Sequence, residues 1–434
     1  MKVPKKPPEL QEVLKNNKEH IFDIVENSAV KKFMNKCNAE YIHWDQLRYK
    51  KIPNNIKPEY IWIFLKLFRN SQSKIFNFAK WKFKFMLTDE SQRRLHILDK
   101  GTAGNLETGL ESMHTSGRKR YIISSLMEEA IASSQLEGAA TTRKIAKDLL
   151  RKKKKPKNYS EKMIVNGFKT IQKIVKMQNV KITPQIIIEL QKEITKDTLK
   201  DENDSGRFRD NDDVVVGDPI ELEKIYHKPP DYQKVPKLIE EFCDFANDDD
   251  HQFIHPIIKG IILHFLIGYI HPFNDGNGRT ARTIFYWYVL SRGYWLFEFM
   301  AVSRIILRSK KKYGLAYLYT ETDNNDLTYF INYNLCAIEE ALQDMEEHIA
   351  KKQKEQSEAM NLIKNKKDIN LRQAEILKEF IKEPEKGFDI SEIRGAYNIA
   401  YDTARNDLLH LEKLKYIEKI TDQKKFVFIL IKKI

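Results

Sequence analysis

The sequence predicts a mainly α-helical, multi-domain protein that closes in a winged helix-turn-helix, and three observations carry this. Apolar side chains recur at three-to-four spacing along most of the chain. Only one short internal run, Val214, Val215 and Val216 before Gly217, reads as a strand. Residues 371–434 alone run helix, short strand, helix, turn, helix and two strands. With 434 residues, 41% hydrophobic and 31% charged, the chain is too long for one core, and collagen, a disulfide scaffold and wholesale disorder are excluded.

Four units are expected: an N-terminal helical module over 1–118, a core over 119–335, a linker helix over 336–370 and the winged helix over 371–434. In the first unit the aromatic-rich stretches 60–68 and 76–85 read as helices. A Gly-bearing stretch, 101–117, leads into a helix over 121–138, where Ile122, Leu126, Ala130 and Ile131 repeat at helical period and Gly138 is the stop. The basic run RKKKKPK at 151–157 reads as a solvated loop.

Helical patterns resume at 160–177 and 183–195, before an Asp-rich loop over 200–213. Two more follow at 233–246 and 254–270, and the second is apolar nearly all round, so it is the expected central helix. Helical character continues over 280–291 and in a long charged helix over 327–364, whose end reads as a linker. The terminal unit places helices at 371–381, from 391, and at 401–414, with strands at 388–390, 417–420 and 426–430.

The formal charge of +14 admits nucleic acid, an acidic protein or a polyphosphate ligand as counter-charge. Its distribution narrows the choice: residues 1–100 carry +10 but 371–434 only +2, so the terminal unit is not strongly basic. Neither a signal peptide nor a membrane span is expected, because the N-terminus lacks an apolar run and Lys259 and His264 interrupt the most apolar segment. Cys37, Cys243 and Cys336 lie far apart without metal spacing, which points to reduced thiols and a cytoplasmic location.

The densest chemistry lies after the central helix, in HPFNDGNGRTAR at 271–282. Gly276 and Gly278 flank Asn277 and let the backbone approach one anion closely, while the helix opening near Arg279 adds its positive end. Arg279 and Arg282 share one side of that helix and suit phosphate oxygens. Asp275 is a hard oxygen ligand placed for Mg²⁺ between phosphates. His271 is the nearby group able to accept a proton near neutral pH, and Phe273 reads as a core anchor. A buried His beside a Gly-rich turn with ordinary surface arginines would explain any one of these residues, but explains the set poorly.

This string matches without a gap the HPFx(D/E)GNGRxxR signature of the Fic family, whose usual activity is protein AMPylation. The resemblance runs across about residues 120–335 and implies a Fic-type helical bundle with a small β-hairpin flap. It implies ATP as substrate with Mg²⁺, His271 as the base for a target hydroxyl and Asp275 as the metal ligand. Asn274, Gly276, Asn277, Gly278, Arg279 and Arg282 are the implied ATP and phosphate contacts, with Arg282 taking the γ-phosphate.

A second string, SSQLEG at 133–138, resembles the (S/T)xxxE(G/N) inhibitory motif of one class of the family. Ser133 and Glu137 share a helical face, and a carboxylate delivered to Arg282 would occupy the group that a γ-phosphate needs. Ser133, Glu137 and Gly138 are therefore the expected brake. Val214, Val215, Val216 and Gly217 resemble the flap that holds a target segment by strand pairing; an ordinary hairpin over the core fits them nearly as well. Asp323 and Asn324, in TETDNND at 320–326, fall where relatives line the adenine pocket, although a polar interhelical loop accounts for them equally.

The expected function is an autoinhibited protein adenylyltransferase acting on Ser, Thr or Tyr hydroxyls. Two alternatives stay open: a de-AMPylating hydrolase using the same site, and a DNA-binding regulator in which the Fic core is a sensor. Low charge, with Asp402 and Asp407 on the expected recognition helix, argues against strong DNA binding despite Lys424 and Lys425 in the wing. The target protein and the oligomeric state, a homodimer included, are not readable from the sequence.

Overall fold

The computed structural model describes residues 2–9, 27–102, 115–177, 180–217, 223–248, 253–364, 368–383, 386–422 and 425–431. Residues 103–114 of the Gly-bearing stretch and Lys424 of the expected wing lie outside these, as does the side chain of Lys425.

The N-terminal module holds α1 (Ser28–Ala39), α2 (Trp44–Leu47) and α3 (Pro58–Gln72), closed around Val30, Leu47, Ile61 and Leu65. Asn27 caps α1 through the amides of Ala29 and Val30, and Pro58 opens α3, where its missing N–H costs nothing. The stretch 76–85, expected as helix, is instead an antiparallel hairpin of β1 (Lys74–Phe78) and β2 (Trp81–Phe85). Its aromatics alternate with Lys and Asn, so a period of two puts Phe83 and Phe85 on one buried face. The central core begins here, at Phe78, and extends to Ile349.

Next come α4 (Asp89–Thr102), α5 (Thr115–Leu136), α6 (Arg143–Arg151), α7 (Tyr159–Lys176) and α8 (Pro184–Thr195). The Asp-rich loop leads to β3 (Val216–Gly217), paired with β4 (Ile225–His227). This hairpin is shorter than the expected 214–216 strand, because pairing starts only at Val216 and slips in register there. Then follow α9 (Val235–Asn247), α10 (Pro256–Ile270), α11 (Asn277–Ser291), α12 (Val302–Arg308), α13 (Lys310–Thr322) and α14 (Thr328–Lys364).

As its composition requires, α10 is buried almost throughout, from Ile257 to Ile270, and packs on α11. Truncating one of its isoleucines to Ala would cost about 2–5 kcal/mol. Its C-terminus and the N-terminus of α11 are joined by residues 271–276, so two helices of the central core hold both halves of the 271–282 string.

The C-terminal unit has its own core of α15 (Leu371–Lys382), α16 (Ile390–Tyr397), α17 (Tyr401–Lys413), β5 (Ile417–Asp422) and β6 (Lys425–Leu430). Phe388 forms a single bridge to Phe428 where a short strand was expected, giving the winged helix-turn-helix order. Asp407, on the expected recognition helix α17, is buried and held by Arg372 and Gln373. The unit docks through α16 on α5 and α6, with Lys152 paired to Glu392 at 3.4 Å. Among the described residues no helix is long and apolar enough to cross a membrane.

Three sheltered histidines make a pH prediction. Burial holds His43 and His264 down at about 3 and His271 at about 4, against 6.5 for a free side chain. Above 6.5 the folded and unfolded chains are alike at these sites. As pH falls below it, the unfolded chain takes up protons that the folded chain refuses, so stability declines from about pH 6.5 toward 4. Thermal melts should show Tm falling across this window, with a shallower slope in His264→Phe; a flat Tm from pH 7 to 5 would contradict it.

Candidate active site

His271 terminates α10 in the left-handed region, φ 50°, its amide bonded to the Ile267 carbonyl at 2.9 Å. Pro272 disfavours a further helical residue here and forces the chain outward. Ring Nδ1 faces the Gly268 carbonyl at 3.3 Å, so Nδ1 carries the hydrogen and Nε2 keeps the lone pair. Loss of hydration lowers the pKa to about 4, the His227 charge adds to this, and the Gly268 carbonyl opposes it. At neutral pH the ring is therefore an unprotonated base.

The loop beyond it has a shape that suits an anion. Asn277 clips it shut, Oδ1 accepting from the Phe273 amide at 3.0 Å and Nδ2 donating to the Phe273 carbonyl at 2.7 Å, while Phe273 sits in the core. The Asn277 side chain is thus a clamp on the loop, and any phosphate contact of this residue falls to its backbone. Gly276 adopts φ 86°, and a Cβ there would meet Thr195 Cγ2 at 2.7 Å, so both conformation and space require glycine. The N–H groups of Asn277, Gly278 and Arg279 belong to the first turn of α11 and have no intrahelical acceptor.

Arg279 is buried, donates to the Ile194 carbonyl at 3.1 Å and reaches Asp275 at 3.3 Å, and its Nε has no partner. Asp275 stays 44% exposed and uses Oδ1 for Arg279 and the Gly276 amide. The Oδ1 of Asn274 is buried without a donor, a deficit that a bound hydroxyl or water would make good.

The residues of the expected brake, Ser133 and Glu137, meet Arg282 here. Arg282, buried, donates from Nε to Ser133 Oγ at 2.9 Å, and from one terminal nitrogen to the Ser133 carbonyl at 3.0 Å and to Glu137 Oε1 at 2.9 Å. A Cβ on residue 278 would overlap Glu137 Oε1, so the carboxylate rests on the first turn of α11 itself. Loss of hydration raises the Glu137 pKa, but Arg282 foremost, with Arg279 and Lys310, outweighs it and the net shift is downward. The carboxylate is therefore held ionised against Arg282. Gly138, at φ 94°, ends the helix just beyond, and Lys310 Nζ holds the Leu136 carbonyl at 2.8 Å.

In the segment that enters β3, Val215 is exposed while Val214, Val216 and Gly217 are half-buried. Sequence reasoning missed Arg209, which ties this segment to the motif. Its Nε donates to the His271 carbonyl at 3.0 Å, its amide to the Pro272 carbonyl at 2.9 Å, and it also binds Asp212 and the Pro230 carbonyl. The one available signal was an arginine following Phe208, whose ring packs 5.6 Å from Phe273.

Asp323 is not delivered to the cradle. It is buried, pairing with Lys66 of the N-terminal module at 2.8 Å and accepting from Tyr329, while Asn324 follows at φ 57°. That polar loop serves the seam between α3 and the core, where Lys66 also reaches Asp326 at 3.1 Å. No cluster of three or more His, Cys, Asp or Glu side chains suited to a metal is found among the described residues.

Residues 181–289 match the Fic/DOC family, a span that includes the flap and the 271–282 string but not Glu137. The chain is similar to a Protein adenylyltransferase Fic of Nematostella vectensis, 28% identical over 130 residues, or 30% of this chain and 26% of that one. A protein of the same name from Drosophila willistoni is 30% identical over 118 residues, 27% of this chain and 22% of its own length. The chain thus spans about a quarter of the length of these relatives. A crystal structure of a Fic family protein from Desulfovibrio desulfuricans G20 superposes with a TM-score of 0.51 at 16% identity, covering 80% of this chain and 98% of that one, a likeness of fold. The matched span contains the whole 271–282 cradle, so it is this segment of the chain that is similar to the Fic/DOC family, within a fold like that of a Fic family protein.

Proposed function

We propose that this chain is a protein adenylyltransferase, restrained by Glu137, that moves AMP from ATP to a hydroxyl of a target protein. The observation that carries the reading is the carboxylate of Glu137 seated on the first turn of α11 and bonded to Arg282, where an anionic tail would otherwise bind. The relatives named as adenylyltransferases support the reaction class.

The first-turn amides of α11 and Arg279 would hold the inner phosphates, and Arg282 the outer one. His271 Nε2 takes the proton of the target hydroxyl as its oxygen bonds to the α-phosphorus, and the bond to the bridging oxygen breaks to release pyrophosphate. The chain works mainly by position and by donors fixed before charge develops. Asp275 fits Mg²⁺, since one half-exposed carboxylate beside a phosphate site is the protein share that this ion ordinarily takes. When bound, the ion would neutralise phosphate charge. Three free thiols fit a reducing, cytoplasmic setting.

Two labels test the reaction. Label from the α-phosphate of ATP should enter protein and label from the γ-phosphate should not; the reverse would mean phosphoryl transfer and end the proposal. The flap reading makes its own prediction. Val215 is 39% exposed, so Val215→Lys should cut target labelling about tenfold while the KM for ATP stays within about twofold. Equal losses in both would mean that Val215 serves only the fold.

A further inference from the structure

His227 ends β4, and its ring is sheltered between two oxygens of different elements. Nδ1 lies 2.8 Å from Glu321 Oε2 of α13, and Nε2 lies 2.8 Å from the Tyr269 carbonyl near the end of α10. A carboxylate and a carbonyl can only accept, so each ring nitrogen must donate, and only the imidazolium has a hydrogen on both. Tyr269 precedes His271 by two residues in the sequence. The flap strand and the base are therefore joined through a single turn of backbone.

We propose that His227 is a positioning residue: as an imidazolium it latches the flap strand to the end of α10 and so sets the target segment and His271 as one unit. The reading of residues 214–217 as a target-binding flap under the proposed function is the premise on which this rests. The latch has a counterpart. Arg209, at the other end of the same connection, holds the His271 and Pro272 carbonyls, so two cations from the flap segment cap the negative end of α10.

The groups that face His227 are few. Glu321 comes from α13; α10 gives the Tyr269 carbonyl, the Tyr269 ring at 5.1 Å between centroids, and His271; Arg209 is the charge on its own connection. Burial disfavours the charged ring, but the bond to Glu321, that carboxylate's charge and the Tyr269 carbonyl outweigh burial and Arg209, and the net shift is upward. The latch is thus complete below pH 6.5 and is lost as pH rises through the raised folded value, when one of its two bonds loses its hydrogen. The charge also lowers the proton affinity of His271, keeping the base neutral.

The test begins on the whole chain without ATP. In histidine-selective ¹³C NMR, with the His227 signal assigned by its loss in His227→Gln, the ring should titrate above 6.5, and in Glu321→Gln it should titrate lower. Amide exchange over residues 223–228 should quicken above the same pH, and at lower pH in Glu321→Gln. A ring already neutral at pH 6.5 overturns the proposal, as does exchange that ignores the titration.

Activity supplies a second arm in the Glu137→Gly background, read as label transfer to the chain itself. His227→Gln should lower kcat by about tenfold, the loss expected from one charge-assisted hydrogen bond, with the KM for ATP unchanged. The alkaline limb of transfer should move to lower pH in Glu321→Gln; a limb that does not move overturns the latch. If no variant transfers label while the titration and exchange behave as stated, the transferase reading fails and the latch stands.

Discussion

Glu137→Gly should raise incorporation of AMP label from ATP on the order of a hundredfold over the unaltered chain. Arg282 donates to Glu137, and the carboxylate lies against Gly278 at the first turn of α11, where the proposed reaction needs phosphate. A phosphate brought there meets an ionised carboxylate. Two unit charges 4 Å apart at an effective dielectric of 20 repel by about 4 kcal/mol, and part of this is relieved because the Glu137 side chain is 35% exposed and can swing toward water. Half of that repulsion is about a thirtyfold effect and all of it nearly a thousandfold. Glu137→Gln separates charge from bulk: it should rise less than the glycine variant, since an amide removes the repulsion but still fills the space. Removing Glu137 also takes a carboxylate partner from the buried Arg282, so ATP should stabilise Glu137→Gly against heat more than it stabilises the unaltered chain. Equal labelling in both forms, with both folded, would remove the brake.

The parts of this site that could be read from the sequence are those whose logic is local. The 271–282 string carries its turn, its clamp and its arginines within one helix start, and the 257–270 stretch, apolar nearly all round, reads as a buried helix. Ser133 and Glu137 were legible because helical spacing puts both on the face that meets Arg282. What stayed hidden answers to partners far off in sequence. Arg209 and His227 hold backbone carbonyls of α10, and a carbonyl has no residue identity to betray it. Asp323 looked like a loop acid available to a ligand, and its partner is a lysine in another module. The 74–85 hairpin was misread for another reason: aromatics at 76, 78, 81, 83 and 85 satisfy a loose three-to-four count, yet strict alternation with polar residues marks a strand.

His271→Ala in the Glu137→Gly background should lose about a hundred- to ten-thousandfold in transfer, the usual contribution of a positioned general base. ATP binding should persist, because the first-turn amides of α11, Arg279 and Arg282 do not depend on the ring. Ala also accepts the left-handed cap at 271 at a cost of about 1 kcal/mol, so a thermal melt showing a folded variant is part of the comparison. The pH profile adds what a merely structural role would not produce. Transfer needs the neutral ring, and a pKa lowered to about 4 keeps it neutral well below 6.5, so the acid limb of kcat/KM for ATP should lie near 4. Bound triphosphate puts negative charge beside the ring and favours the imidazolium, so the limb of kcat should lie at higher pH than that of kcat/KM. His271→Ala retaining most of the transfer, or limbs unchanged by its loss, would assign the proton to another group and leave the cradle as a nucleotide site without this base.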